Sequence, residues 1–222
     1  MNKNYYIHLT FLIILVFSCD SKENESLQNK KSLESSSKDT IIHNEIKEQE
    51  NKISFKLNLK DFIPKNYALL DSASGNLNLD EYKDYVLVFK KIDEEKTSDV
   101  NEHPEKRPLI ILIGQQDGTF KQIKRNDNAV YCVDCGGMMG DPFTGITLEK
   151  GSFTMTHFGG SNWRWSKNIT FKFAESENEW FLYQIESSSF HTSDPEKAEQ
   201  EILTKKDFSK VKFEKYDIYK ED

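Results

Sequence analysis

Three groups of residues have the types and spacing to do chemistry. The first is Cys132-Val133-Asp134-Cys135, followed by Gly136, Gly137, Gly140, Asp141 and Pro142. Such a pair can close a local disulfide, attack another disulfide as a thiolate, or give two sulfurs to a metal. A redox pair wants its first cysteine at a helix N-terminus, and the glycines and proline just downstream oppose that helix. A zinc ribbon needs a second Cys or His pair, which the chain does not have. Asp134, Asp141, His157 or His191 would complete a metal site only through tertiary placement. The expectation is therefore a Cys132–Cys135 disulfide pinning a glycine-rich excursion, with free thiols as the alternative.

The second group is Asn76, Asn78, Asp80 and Asp84, whose i, i+2, i+4, i+8 spacing lets a tight loop turn several oxygens inward. Ca²⁺ takes about six to eight oxygens from side chains, carbonyls and water. Asn and Asp also favour plain turns, where their side chains bond nearby backbone groups. Calcium is thus one reading and a metal-free Asx-rich turn is the other. The third group is His157-Phe158-Gly159-Gly160-Ser161-Asn162-Trp163-Arg164-Trp165. Gly-Gly-Ser-Asn makes a turn or bulge. Trp163 and Trp165 then share one strand face, with Arg164 on the other. Indoles and a guanidinium can receive sugars, peptides or cations, and they can equally cap a small core. His157 alternates with Phe153 and Met155, which suits a buried histidine as well as a ligand contact.

No other catalytic signature stands out. The chain has no Gly-x-Ser-x-Gly, no His-Glu-x-x-His and no phosphate-binding glycine loop. Lys and Arg number 30 against 37 Asp and Glu, a net charge of −7, which excludes a polyanion binder of the nucleic-acid kind. Three cysteines in 222 residues also exclude a disulfide-dense miniature scaffold.

The elements that must position these groups begin after a long prelude. Lys3 precedes the apolar run Phe11 to Phe17, which ends at Ser18-Cys19. That run is shorter than the roughly 20 residues a membrane-spanning helix needs. It has secretory proportions instead. Val16-Phe17-Ser18-Cys19 resembles the lipobox of bacterial lipoproteins, where a small residue precedes a cysteine that is acylated and becomes the new N-terminus. The resemblance implies lipidation (palmitate among the acyl chains) at Cys19 and a cell-envelope location anchored to membrane. Asp20-Ser21-Lys22-Glu23-Asn24-Glu25 is similar to the surface-export signal of Bacteroidetes lipoproteins, which implies an outer-membrane protein facing either the surface or the periplasm.

Residues 20–52 carry eight acids, six lysines and no aromatic residue or proline. Such a segment buries too little apolar surface to offset chain entropy. It reads as a tether of about 30 Å mean span. The chain thus divides into a signal segment over 1–18, an acylated cysteine and tether over 19–52, and one β-rich domain over 53–222.

In that domain, short alternating runs of aromatic and β-branched residues are separated by Gly, Asn and Asp, which predicts antiparallel β structure. Strands fall at about Ala68–Ser72, Tyr85–Lys91, Leu109–Gly114 and Thr119–Arg125. A second series falls at Ile146–Lys150, Ser152–Phe158, Arg164–Ala174 and Trp180–Ser187. Val211, Phe213 and Tyr216 suggest a last strand. Asp194 to Lys205 is rich in Glu, Lys, Gln and Ala behind a possible Ser193 cap, which predicts one short C-terminal helix.

Ala68 to Arg125, with its Asn76–Asp84 loop, resembles a degenerate FG-GAP or VCBS-type repeat, as in integrin-alpha β-propellers. That loop reads D-x-[DN]-x-D-G-x-x-D. Asn78, Asp80 and Asp84 match it, Asn76 stands for the first Asp and Glu81 for the turn glycine. The resemblance implies a blade-like four-stranded meander and a weak calcium site. Two such meanders are too few to close a propeller. Packed sheets or one twisted sheet remain. The Cys-x-x-Cys-Gly-Gly and Gly-Gly-Ser-x-Trp-Arg-Trp segments also resemble a family of uncharacterised bacterial envelope proteins. The combined expectation is a lipid-anchored binding or structural module whose ligand is a glycan, a peptide or another envelope protein. The rival is an envelope enzyme or thiol- or metal-handling factor built around Cys132 and Cys135.

Overall fold

Alternation decides the architecture. Strand β6 (Ser152–Gly160) buries every second residue, Phe153, Met155, His157 and Gly159, and leaves the residues between them partly exposed. In an antiparallel ladder that places one face on a core and the other toward water. The computed structural model describes residues 59–220. The expected signal segment, Cys19 and the tether lie outside these residues. Among the described residues no helix is long and apolar enough to cross a membrane.

The protein is mainly β, built as two antiparallel meanders. The first contains β1 (Tyr67–Gly75), β2 (Asp84–Lys91), β3 (Leu109–Gly114) and β4 (Phe120–Asn126), in that order across the sheet. The second contains β5 (Phe143–Glu149), β6, β7 (Trp163–Ala174), β8 (Glu179–His191) and β9 (Glu199–Thr204). Within each sheet every strand pairs with its sequence neighbour; the β2–β3 connection carries a short helix at Glu94–Thr97, and the segment between β4 and β5 passes from one sheet to the other.

The sheets pack face to face. Val86, Val88, Leu109, Ile111 and Ile113 of the first join Phe153, Met155, Ile169, Phe171, Leu182 and Ile185 of the second in one core. Phe213, Tyr216 and Ile218 from the C-terminal segment complete it. The first sheet is sealed on its other face too: Tyr85, Leu87, Phe89, Ile110 and Leu112 pack with Leu59, Phe62, Ile63, Tyr67 and Phe120. This is why β2 and β3 read as unbroken apolar runs rather than alternating ones.

The sheets are tied along both sides. At one side a bulge in β1 presents Asp71, whose carboxylate accepts the N–H of Ile146 in β5 at 3.0 Å. At the other, Lys124 of β4 reaches Glu179 and Glu214, both at 2.9 Å. The Asn126 amide donates to the carbonyls of Phe213 and Tyr216 at 2.5 and 2.8 Å.

The eight strands expected between Ala68 and Ser187 all form. Two late segments differ from expectation. Asp194–Lys205 is a single 3-10 turn at Pro195–Lys197 followed by strand β9, not a helix. Helix propensity is a weak prior, and here the free edge of β8 supplies a full set of ladder partners, from Gln184↔Thr204 to Ser189↔Glu199. Leu203 turns inward against the core. Around Val211, Phe213 and Tyr216 only an isolated bridge, Phe181↔Lys212, and a 3-10 turn at Phe213–Lys215 form. Their large side chains insert into the core, so the segment acts as a plug rather than as a strand.

Candidate functional site

The inner face of the second sheet changes character along its length. Register places Ile169, Ile185 and Leu203 side by side on β7, β8 and β9. The next row is Lys167, Ser187 and Glu201, and the one beyond is Trp165, Ser189 and Glu199. Trp163 and His191 pair at the rim, rings 5.2 Å apart. The apolar row belongs to the core. The two polar rows, with Tyr131, line a cleft of about 560 Å³.

Tyr131 forms the cleft's wall with Trp165. Their rings meet edge to face at 5.7 Å, and Tyr131 also contacts the rings of His157 at 5.2 Å and Tyr219 at 5.9 Å. The indole lies over β6 because residue 159 is glycine: a Cβ there would come within 2.6 Å of the Trp165 ring. Trp165 is thus fixed on one side by backbone and on another by an aromatic edge, while its remaining surface lines the cleft.

The segment carrying Tyr131 is clamped hard. Cys132 and Cys135 are joined as a disulfide, Cα atoms 5.1 Å apart. The Gly136 N–H donates to the Gly140 carbonyl, and the Gly136 carbonyl accepts the N–H of Gly160. Arg107 is fully buried and donates to Glu94 at 2.5 Å, to both Asp141 oxygens at 2.7 Å and to the Tyr131 carbonyl at 3.2 Å. Burial works against the guanidinium charge, but Asp141 and Glu94 more than compensate and raise its pKa. Asp134 anchors the other side of the loop, accepting from the Ser98 hydroxyl at 2.6 Å and the Val100 N–H at 2.7 Å.

The sequence-predicted residues sort themselves around this frame. Trp163 and Trp165 do share a face, with Arg164 on the opposite one, but only Trp165 lines the cleft. Trp163 stands 61% exposed at the rim. His157 is sealed behind Tyr131 and Phe143, and among the described residues neither ring nitrogen makes a hydrogen bond. Burial pushes its pKa down to about 4; the Lys167 backbone and Asp141 oppose the shift, and the charges of Lys167 and Arg107 add to it. The ring is therefore neutral at physiological pH. Asp141 is committed to Arg107.

Asn76, Asn78, Asp80 and Asp84 do gather in one turn between β1 and β2. Asp84, fully buried, accepts the N–H groups of Leu77 at 2.7 Å, Asn78 at 3.3 Å and Gly114 at 3.0 Å. Burial raises its pKa, while those three donors oppose the rise. Asp80 accepts from the Tyr82 N–H and the Asn78 amide, and Asn76 donates to the Asp80 carbonyl. Asn76 Oδ1 is buried without a hydrogen-bond partner, while the Asp80 and Asp84 carboxylates are spent on holding the loop's shape, so a cation using them would have to displace N–H donors. Among the described residues no three His, Cys, Asp or Glu side chains gather as metal ligands.

Arg107, Glu94, Tyr131, Lys167, Ser187, Ser189, Glu199 and Glu201 were not singled out by sequence. One signal was present: Trp163, Trp165, Lys167 and then Ile169, Phe171 share one parity on β7, as do Ser189, Ser187 and then Ile185 on β8. A face that switches from polar to apolar in step on adjacent strands marks where a core ends. Fold and site together define a two-sheet β sandwich with an aromatic-walled side cleft. No protein-family model, curated protein or solved structure matches the chain.

Proposed function

We propose that this chain is a lipid-anchored cell-envelope protein, attached through Cys19, whose sandwich is a binding module with the Trp165–Tyr131 cleft as its site. The cleft carries this reading. It falls within the roughly 300–1,000 Å³ typical of small-ligand sites, has a rigid aromatic wall, and is lined by a lysine, two glutamates, a glutamine and four serines. The lipobox and the polar stretch after it support anchoring at a membrane.

Two measurements test the reading. The Cys19→Ser variant should shift from the membrane fraction to the soluble fraction of cells; unchanged membrane association overturns the anchor. A photo-crosslinking amino acid at Ser189, inside the cleft, should label envelope components that the same group at Thr154, on the outer face of the same sheet, does not. Equal labelling from both positions, or none from either, overturns the cleft as the binding site.

A further inference from the structure

The cleft's chemistry narrows its ligand, and this step rests on the binding reading above. Two rows cross it. One runs Trp165, Ser189, Glu199 and the other Lys167, Ser187, Glu201. From β7 to β9 is two strand spacings, about 10 Å. One wall is therefore aromatic, the floor is hydroxyl, and the far wall is carboxylate, with the Lys167 ammonium 5.9 Å from the centre of the Tyr131 ring.

Each part selects. The indole offers a flat apolar surface, immobilised by Gly159 and Tyr131, so little side-chain entropy is lost when something stacks on it. The carboxylates only accept hydrogen bonds, the ammonium only donates, and the serines do both. A purely apolar ligand would strip water from the exposed Glu199 and Glu201 without replacing it, which is costly. An anionic ligand would meet two carboxylates and one ammonium. An extended peptide would find its N–H and C=O partners along the free edge of β9 rather than in the cleft. A ring with an apolar C–H face and a rim of groups that both donate and accept satisfies every part at once.

We infer that the cleft binds an uncharged saccharide, one sugar ring stacked on Trp165 with its hydroxyls reaching Ser187, Ser189, Glu199 and Glu201. Lys167 and the two glutamates fix the ring's orientation.

The test is titration of the full-length protein with three tetrasaccharide probes: a neutral hexose oligomer, an N-acetylhexosamine oligomer and a uronic-acid oligomer. Binding is read by calorimetry and by tryptophan fluorescence. At least one neutral oligomer should bind, and the uronic-acid oligomer should bind at least roughly tenfold more weakly. Trp165→Ala should weaken the neutral oligomer by roughly tenfold or more, while Trp163→Ala at the rim should change it by less than about threefold. Trp165→Phe, which keeps a ring, should recover part of the loss, with circular dichroism reporting that each variant remains folded. Failure of all neutral probes overturns the saccharide assignment, as does binding that survives Trp165→Ala or that favours the acidic oligomer. The two readings fail separately. If Ser189 crosslinks envelope components while every oligosaccharide fails, the cleft stands and its saccharide class falls. If the crosslink fails as well, the binding reading falls with it.

Discussion

The two ends of the β7–β8 ladder belong to the same two strands, joined across a register shift at Thr170/Phe171, yet their surroundings differ. At one end Ile169, Phe171, Leu182 and Ile185 are buried against the first sheet. At the other Trp165, Lys167, Ser187 and Ser189 line an open cleft. The difference lies in what stands opposite. Val86, Val88, Ile111 and their neighbours cover the apolar end, while a clamped loop bearing Tyr131 stands over the polar one. A five-stranded sheet paired with a four-stranded one has surface left over, and the leftover surface is where side chains are free to meet a ligand. Stability should therefore concentrate in the covered end and the clamp, and tolerance in the open end.

The largest break should come at the clamp. Arg107→Ala leaves Glu94 buried without its partner and also frees Asp141 and the Tyr131 carbonyl; removing one partner of a buried ion pair costs about 3–5 kcal/mol. Urea denaturation of the variant should show a loss in that range. A loss below 1 kcal/mol would show that the clamp is not the support of the cleft wall.

Next in size is a pH effect. His157 has a native pKa of about 4 against an ordinary value of 6.5, so between these pH values the unfolded chain binds a proton that the native chain refuses. Stability should rise with pH through that window, by about 3 kcal/mol in total, and the contribution is lost once pH falls below the native value. His157→Leu should flatten this part of the stability–pH curve. An unaltered slope would mean that His157 is not the group responsible.

The disulfide should matter less. It closes a very short loop, so replacing Cys132 and Cys135 by serine should cost about 2 kcal/mol on the chain-entropy account. Reduction should loosen Tyr131, visible as increased hydrogen exchange at residues 131–140 with β6 and β7 unchanged. The smallest effects belong to the cleft floor: Ser187→Ala and Glu201→Gln should leave stability within about 0.5 kcal/mol, as partly or fully exposed substitutions do. A larger loss would place them with the covered end.

Much of the fold was legible because β structure writes itself as a period of two. Phe153, Met155 and His157 on β6, and the apolar runs of β2 and β3, follow directly from which faces are covered. Strand β9 was not legible. Its Glu, Gln and Lys residues favour helix locally, and only the vacant edge of β8 made them a strand. The plug at Phe213 and Tyr216 is hidden from the sequence pattern for a similar reason, since large apolar residues at wide spacing serve a core without forming a ladder.

The site was half legible. Trp165 and the cysteine pair could be picked out by type and spacing. Ser187, Ser189, Glu199 and Glu201 look like any solvated strand residues, and Arg107 sits in an unremarkable stretch between His103 and Pro108. Their importance comes from partners 13 to 34 residues away in the case of Arg107, reaching Glu94 and Asp141. No local pattern encodes such a pairing.

What the sequence by itself determined was periodicity: which residues lie on which strand face, where chains turn, and that Cys132 and Cys135 are close enough to bond. Those are properties of neighbouring residues and of backbone geometry. The tertiary structure alone decided how far the first sheet extends over the second, and hence which inward-facing residues became core and which became cleft. It also decided that Asp84 would be spent on backbone N–H groups and that Arg107 would hold Tyr131 in place. Those outcomes depend on surfaces meeting across the molecule, where the cost of burying a charge is settled by partners far away in the chain.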